Sequence, residues 1–196
     1  MIISIGEWVL RKACTDTKAW INQGIPILSL AVNVSIIQLL HKGFCDLVRT
    51  VLTNTELSPG ILELELTESA LVADEDAILP VLQQLKATGV KFAIDDFGTG
   101  YSSLSRLRNY PIDCLKIDKC FMENIDEDPN NASIVSAVIN MAKGMDMKVI
   151  SEGIETENQL EFLKRNGCSK AQGYLLSYPL TLSKTDEFLR NLVPKQ

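Results

Sequence analysis

The chain has 196 residues, 46% of them hydrophobic and 22% charged, which describes one soluble globular domain with enough chain to bury a core. Its formal net charge of −6 excludes non-specific affinity for duplex nucleic acid or an anionic bilayer, since both surfaces reward clustered Lys and Arg. Five scattered cysteines, Cys14, Cys45, Cys114, Cys120 and Cys168, lack Cys-x-x-Cys spacing and fit a reducing, cytoplasmic compartment rather than a disulfide or zinc framework.

In chain order, an amphipathic helix is predicted over about Ile5 to Asn22, with Trp8 and Trp20 both expected in the core. An apolar strand follows at Ile27 to Val34, just after Pro26, whose missing N–H costs a ladder little at that place. A helical pattern over Ile37 to Thr53 contains His41, which has no histidine or cysteine partner at ligand spacing. The strand Ile61 to Leu66 leads to Asp74-Glu75-Asp76, read as the acidic amino terminus of a helix carrying Ile78, Val81, Leu82 and Leu85. Strands at Lys91 to Ile94 and Cys114 to Ile117 come next, then a helix with Ile134, Val138, Met141 and Met145 at three- and four-residue steps. A strand at Lys148 to Ile150, a capping box from Thr156 to Gln159 and a last strand at Ala171 to Leu176 complete the series. No apolar run reaches membrane-spanning length, and the first residues lack the basic start of a signal peptide. A parent protein anchored elsewhere in a membrane is compatible with this.

Nearly continuous apolar strands alternating with helices suit a parallel sheet covered by helices, either a barrel or a doubly wound sheet. The placement of polar residues selects the barrel. Asn33 ends the first strand, Glu65 and Glu68 the second, Asp95 and Asp96 the third, Lys116 and Asp118 the fourth, and Glu152 and Glu155 the fifth, while Gln172 falls in the sixth. In a (β/α) barrel the carboxyl ends of all strands converge on one face, where active sites are built. A solvated loop acid is the commoner case for any one of these residues, but not for the whole succession. The run Asp95-Asp96-Phe97-Gly98-Thr99-Gly100-Tyr101-Ser102-Ser103-Leu104 is the sharpest signal. Successive strand residues point to opposite faces, so two adjacent acids serve one site only where a strand ends and turns. Gly98 and Gly100 permit that turn, and the serines supply hydroxyls at the mouth of the next helix. Oxygen-only ligands in this pattern suit a hard divalent cation.

Taken in order, Val32-Asn33-Val34-Ser35 with Gln38, Glu63-Leu64-Glu65-Leu66-Thr67-Glu68, the Asp-Asp-Phe-Gly-Thr-Gly loop, Leu115-Lys116-Ile117-Asp118, Glu152-Gly153-Ile154-Glu155-Thr156 and Gln172-Gly173-Tyr174 resemble the motifs of the EAL-domain phosphodiesterases, which hydrolyse the bacterial second messenger cyclic di-GMP. The resemblance implies a TIM-like (β/α) barrel in which one strand departs from the parallel order. It implies a two-metal site of Mg²⁺ or Mn²⁺ held by Asn33, Glu65, Asp95, Asp96 and Glu152, with Asp95 bridging the pair. Lys116 would orient the attacking water or neutralise charge at phosphorus, and Glu152 would also act as general base. Glu68 would hold the Asp-Asp-Phe-Gly loop, Gln172 would contact a metal-bound water or the phosphate, and Glu155 and Gln38 would support loops or substrate. The product would be linear pGpG.

The family's Glu-Ala-Leu motif, whose glutamate is a metal ligand, does not occur among the 196 residues. The chain is therefore expected to be one EAL-type domain, amino-terminally truncated, with an incomplete barrel, weak metal binding, low activity and a tendency to form a homodimer. A companion sensory or GGDEF domain is expected in the parent protein. Two alternatives to the hydrolase stand beside it: a catalytically inactive cyclic di-GMP receptor, and an interaction scaffold without ligand. Retention of the loop acids and of Glu152 favours the hydrolase.

Overall fold

A computed structural model of the chain describes residues 1–71, 74–100, 107–123, 125, 128–168 and 170–192. In chain order its elements are α1 (Ile2–Asn22), β1 (Leu30–Asn33), α2 (Ile36–Leu39), α3 (Phe44–Thr55), β2 (Leu62–Thr67), α4 (Glu75–Lys86), β3 (Lys91–Phe97), β4 (Cys114–Ile117), α5 (Pro129–Gly144), β5 (Lys148–Ser151), α6 (Glu157–Arg165), β6 (Lys170–Ala171) and α7 (Leu182–Leu192). Tyr101, Ser102, Ser103 and Leu104 of the glycine-rich run lie outside the described residues. The chain divides into two compact units, the first comprising Met1–Glu65, Asp74–Lys91 and Pro179–Gln196, the second Leu66–Ala73 and Phe92–Tyr178.

In the first unit, α1 buries Leu10, Cys14 and Thr17, spaced four and three residues apart on one helical face, and packs against α3 and β1. Phe44, Val48, Val51 and Leu52 are the buried residues of α3, and each such apolar side chain contributes roughly 1.5–3 kcal/mol by leaving water. Trp8 is not core: it is 65% exposed, because it falls about 200° round the helix from Leu10. Trp20 is half-buried, and its indole N–H donates to Asp186 Oδ1 at 3.2 Å, which ties α1 to α7. The single helix expected over Ile37 to Thr53 is two helices. Ser35 and Gln38 form a capping box that starts α2, and the chain then breaks at residues 40–43, where Gly43 takes φ 94 to open α3. His41 lies in this break and is exposed. β1 starts at Leu30 rather than Ile27, since the Ile27 N–H is used in a local turn to Ile25 O. β1 and β2 pair in parallel, Leu30 opposite Leu62 through Asn33 opposite Glu65.

In the second unit, β3, β4, β5 and β6 pair in parallel in that order. β4 is buried along its whole length, as expected of a strand covered on both faces. Its start is latched to β3 by Asp113, whose Oδ2 accepts from Phe92 N–H at 2.8 Å while Asp113 N–H donates to Phe92 O at 2.9 Å. Asp128 caps α5 with Pro129 in the first turn, and Thr156 and Gln159 form the capping box expected for α6. The strand expected over Ala171 to Leu176 is only Lys170–Ala171. Beyond it the chain turns helically, with Ser177 N–H bonded to Gly173 O. Gly173 is wedged against Ile154, whose carbonyl oxygen would lie 2.1 Å from any Cβ there. The pairs β1–β2, β3–β4, β4–β5 and β5–β6 are all parallel; the exception to parallel order expected from the resemblance is not among these four. Six strands are described, where a closed (β/α) barrel of this class has eight.

Candidate metal centre

β3 carries Ala93 opposite Cys114 and Ile94 opposite Leu115, but then Phe97 opposite Ile117. Three steps on β3 therefore match two on β4, and the extra residue is a bulge at the acidic pair. Asp96 takes φ 54, a left-handed conformation that Asp tolerates better than most residues but still at a cost. Bulge and turn together let two adjacent carboxylates serve one place, which a regular pleat forbids.

Ligand atoms of Asp95, Asp96 and Glu152 lie within 4.8 Å of one another. Glu152 follows β5 directly, its N–H donating to Ile117 O of β4 at 3.0 Å. Between these acids Lys116 projects from β4, only 4% exposed, with Nζ 2.8 Å from Asp95 Oδ1 and 2.8 Å from Glu152 Oε1. Burial raises the Asp96 pKa, and the charges of Asp95, Asp118 and Glu152 add to that, as does its hydrogen bond with Asp118. The Asp118 pKa is lowered: burial, its largest single influence, pushes up, but hydrogen bonds from Cys120 and Asp96 and the charge of Lys119 outweigh it. One of those bonds is Cys120 N–H to Asp118 Oδ1 at 2.8 Å.

The loop after β3 is held by Glu68, 3% exposed, whose Oε2 accepts from Gly98 N–H at 2.9 Å and Gly100 N–H at 3.2 Å. Gly98 is required by its φ of 100 and by contact, since a Cβ there would meet the Phe121 ring at 2.7 Å, whereas one on Gly100 would press on the Glu68 carboxyl at 3.1 Å. Gly153 takes φ 70, and a Cβ there would come within 2.4 Å of Lys119 Cβ.

In the first unit, Asn33 and Glu65 are register partners on parallel strands and so share a face. Val34 N–H donates to Glu65 O at 2.8 Å, and the Glu65 side chain is buried. Gln38 is committed to structure: its Oε1 accepts from Ser35 N–H and Oγ, and its amide packs so close to α1 that a Cβ on Gly6 would fall 1.6 Å from Nε2. Glu155 precedes the cap Thr156 and is exposed; its N–H donates to Gln159 Oε1 at 2.7 Å. Gln172 is exposed, with its N–H on Ser151 O and its carbonyl on Ile154 N–H. The sequence did not reveal the bulge, the Asp113 latch or the Asp96–Asp118 contact. Only the last had a signal, in the acids at the ends of β3 and β4.

The donor set fits a hard dication. Three carboxylates converge, and Asp95 Oδ1 is buried with the Lys116 ion pair but no well-directed hydrogen bond.

The EAL domain family model matches residues 1–179. The bifunctional diguanylate cyclase/cyclic di-GMP phosphodiesterase MucR of Pseudomonas aeruginosa is 46% identical over 180 residues, covering 92% of this chain and 26% of MucR. The cyclic di-GMP phosphodiesterase NbdA of the same organism is 44% identical over 190 residues, covering 97% and 24%. The chain thus spans about a quarter of the length of these relatives. Among solved structures, the PaMucR phosphodiesterase in complex with c-di-GMP superposes with a TM-score of 0.89 at 44% identity, covering 94% of this chain and 74% of that one. The Klebsiella pneumoniae BlrP1 manganese/cy-diGMP complex superposes at 0.76 with 28% identity, covering 86% and 44%. The parallel strands and covering helices are thereby those of the EAL-type TIM-like barrel, with fewer than its full set of strands, and the chain belongs to the EAL-domain family.

Proposed function

We propose that the chain acts as one EAL-type domain that hydrolyses cyclic di-GMP to linear pGpG with Mg²⁺ or Mn²⁺. The observation that carries this reading is the meeting of Asp95, Asp96 and Glu152 around the buried Lys116. The names of MucR and NbdA, and the manganese in the BlrP1 complex, support it by similarity. Asp95, Asp96 and Glu152 would hold metal; Asn33 and Glu65 are ligands by the family resemblance alone. Bound there, a dication pair supplies Lewis acidity toward the phosphoryl oxygens and water.

The chain's own groups do the rest. Glu152 takes a proton from the attacking water, whose oxygen forms a bond to phosphorus in line with the departing 3′ oxygen. The 3′ oxygen leaves with the P–O electron pair and takes up a proton, so the ring opens to a 5′-phosphorylated linear dinucleotide. Lys116 balances charge that grows on the phosphoryl oxygens. Glu68 holds the loop that follows Asp95 and Asp96 by accepting from the Gly98 and Gly100 N–H groups. Gln172 and Glu155 border the loop after β5 and contact substrate.

Among the described residues no helix is long and apolar enough to cross a membrane, and the domain works in the cytoplasm, joined in the parent protein to a sensory or GGDEF domain. It forms a homodimer; the exposed apolar side chains Ile2, Ile5 and Trp8 of α1 support self-association. Because the Glu-Ala-Leu glutamate is not in the sequence, turnover by this chain is weak. The test is incubation of the chain and Glu152→Gln with cyclic di-GMP and Mn²⁺, with chromatographic separation of products. Slow formation of linear dinucleotide by the chain, abolished in the variant, supports the reading. Binding of intact substrate by both, with no product, points to the receptor alternative.

A further inference from the structure

Lys116 occupies the middle of the carboxylate cluster. It projects from the central of three paired strands, with Asp95 on the β3 side and Glu152 on the β5 side, each carboxylate 2.8 Å from its ammonium. Its neighbours Leu115 and Ile117 are fully buried and point to the other face, which fixes the backbone from which the lysine extends. Carboxylates gathered within 4.8 Å repel one another, and at low solvent exposure that repulsion is poorly screened. The Lys116 charge is what offsets it. A dication on the same oxygens would provide that offset itself and would also face a buried like charge a few ångströms away. Lysine and metal therefore interact unfavourably through shared ligands, although each stabilises the cluster when alone.

We propose that Lys116 is a positioning residue that sets the metal affinity of the site by competing for Asp95 and Glu152. It holds the acids together before a dication binds and weakens the dication's hold once it is there. This rests on the metal reading above, and goes beyond a role for Lys116 in the reaction.

The experiment is a Mn²⁺ titration followed by the electron paramagnetic resonance signal of the free ion, with thermal unfolding in chelator and in excess Mn²⁺, on the 196-residue chain, Lys116→Met and Lys116→Arg. Lys116→Met is expected to melt below wild type in chelator, to bind Mn²⁺ at least tenfold more tightly, and to gain more in unfolding midpoint when Mn²⁺ is added. Lys116→Arg keeps the charge and is expected to stay within about threefold of wild type. If Lys116→Met does not fold, Lys116→Gln carries the same expectation. Mn²⁺ affinity that is unchanged or weaker in the neutral variant, with wild type binding normally, overturns the competition and leaves the metal reading standing. No Mn²⁺ uptake by wild type or any variant overturns both.

Discussion

Two strand-end regions of this molecule offer acids and amides in different ways. In the first unit, Asn33 and Glu65 end adjacent strands in regular register, one group per strand, and the chain beyond Asn33 is closed at once by the Ser35 capping box. In the second, two adjacent acids come from a single strand, which takes a bulge, a left-handed aspartate, a buried lysine and a glutamate clamping the loop. A regular parallel pair supplies ligands at little conformational cost. Concentrating charge at one place demands backbone strain and a neutralising partner, which makes the second region the more sensitive to substitution.

The comparison breaks most visibly in activity. Asp95→Asn should lower turnover of cyclic di-GMP about 10³-fold, in line with several kcal/mol for an electrostatic group at the reacting phosphate. Asn33→Ala should cost about 10–100-fold, because a neutral amide contributes less charge; equal losses in product-formation rate would erase the distinction. Next in size is the loop clamp. Glu68→Ala leaves the Gly98 and Gly100 N–H groups without their carboxylate and should destabilise the protein by about 2–3 kcal/mol in urea unfolding, with activity falling alongside.

A smaller effect has the opposite sign. Ser151, fully buried on β5, has an Oγ with no hydrogen-bond partner among the described residues. Ser151→Ala should therefore stabilise the protein by about 1 kcal/mol, read from the same unfolding curves. The smallest effect belongs to the first unit's surface. Asp186 has its pKa lowered, first by the hydrogen bond from Arg190 and then by that residue's charge, with Trp20 N–H adding to it. A lowered carboxylate contributes stability that is present above its unfolded pKa, about 3.9, and is lost as pH falls through the still lower folded value. Asp186→Asn should thus unfold slightly earlier than wild type at pH 7, and the gap should close below about pH 4, as followed by tryptophan fluorescence. A gap that persists at pH 2 would mean that packing, not charge, joins α7 to α1.

Much of this protein was legible from its residues because the relevant signals are local. The strand cores at 91–94, 114–117 and 148–150, the Thr156 capping box, the acidic opening of α4 and the strand-end positions of Asn33, Glu65, Asp95 and Glu152 each follow from side-chain period, cap chemistry or motif order. Tertiary structure decided the rest. The apolar period of Ile37 to Thr53 read as one helix because periodicity does not register a glycine that resets the chain at position 43. Trp8 read as core because hydrophobicity does not say which face of α1 is covered. The Gln172 to Leu176 run read as a strand because its apolar residues satisfy either a pleat or a turn, and the fit of Gly173 against Ile154 selects the turn. The placing of Asp95 and Asp96 together depends on a bulge measured against β4, and the role of Lys116 on two carboxylates from different strands. Both are contacts between residues distant in sequence, which no local pattern encodes.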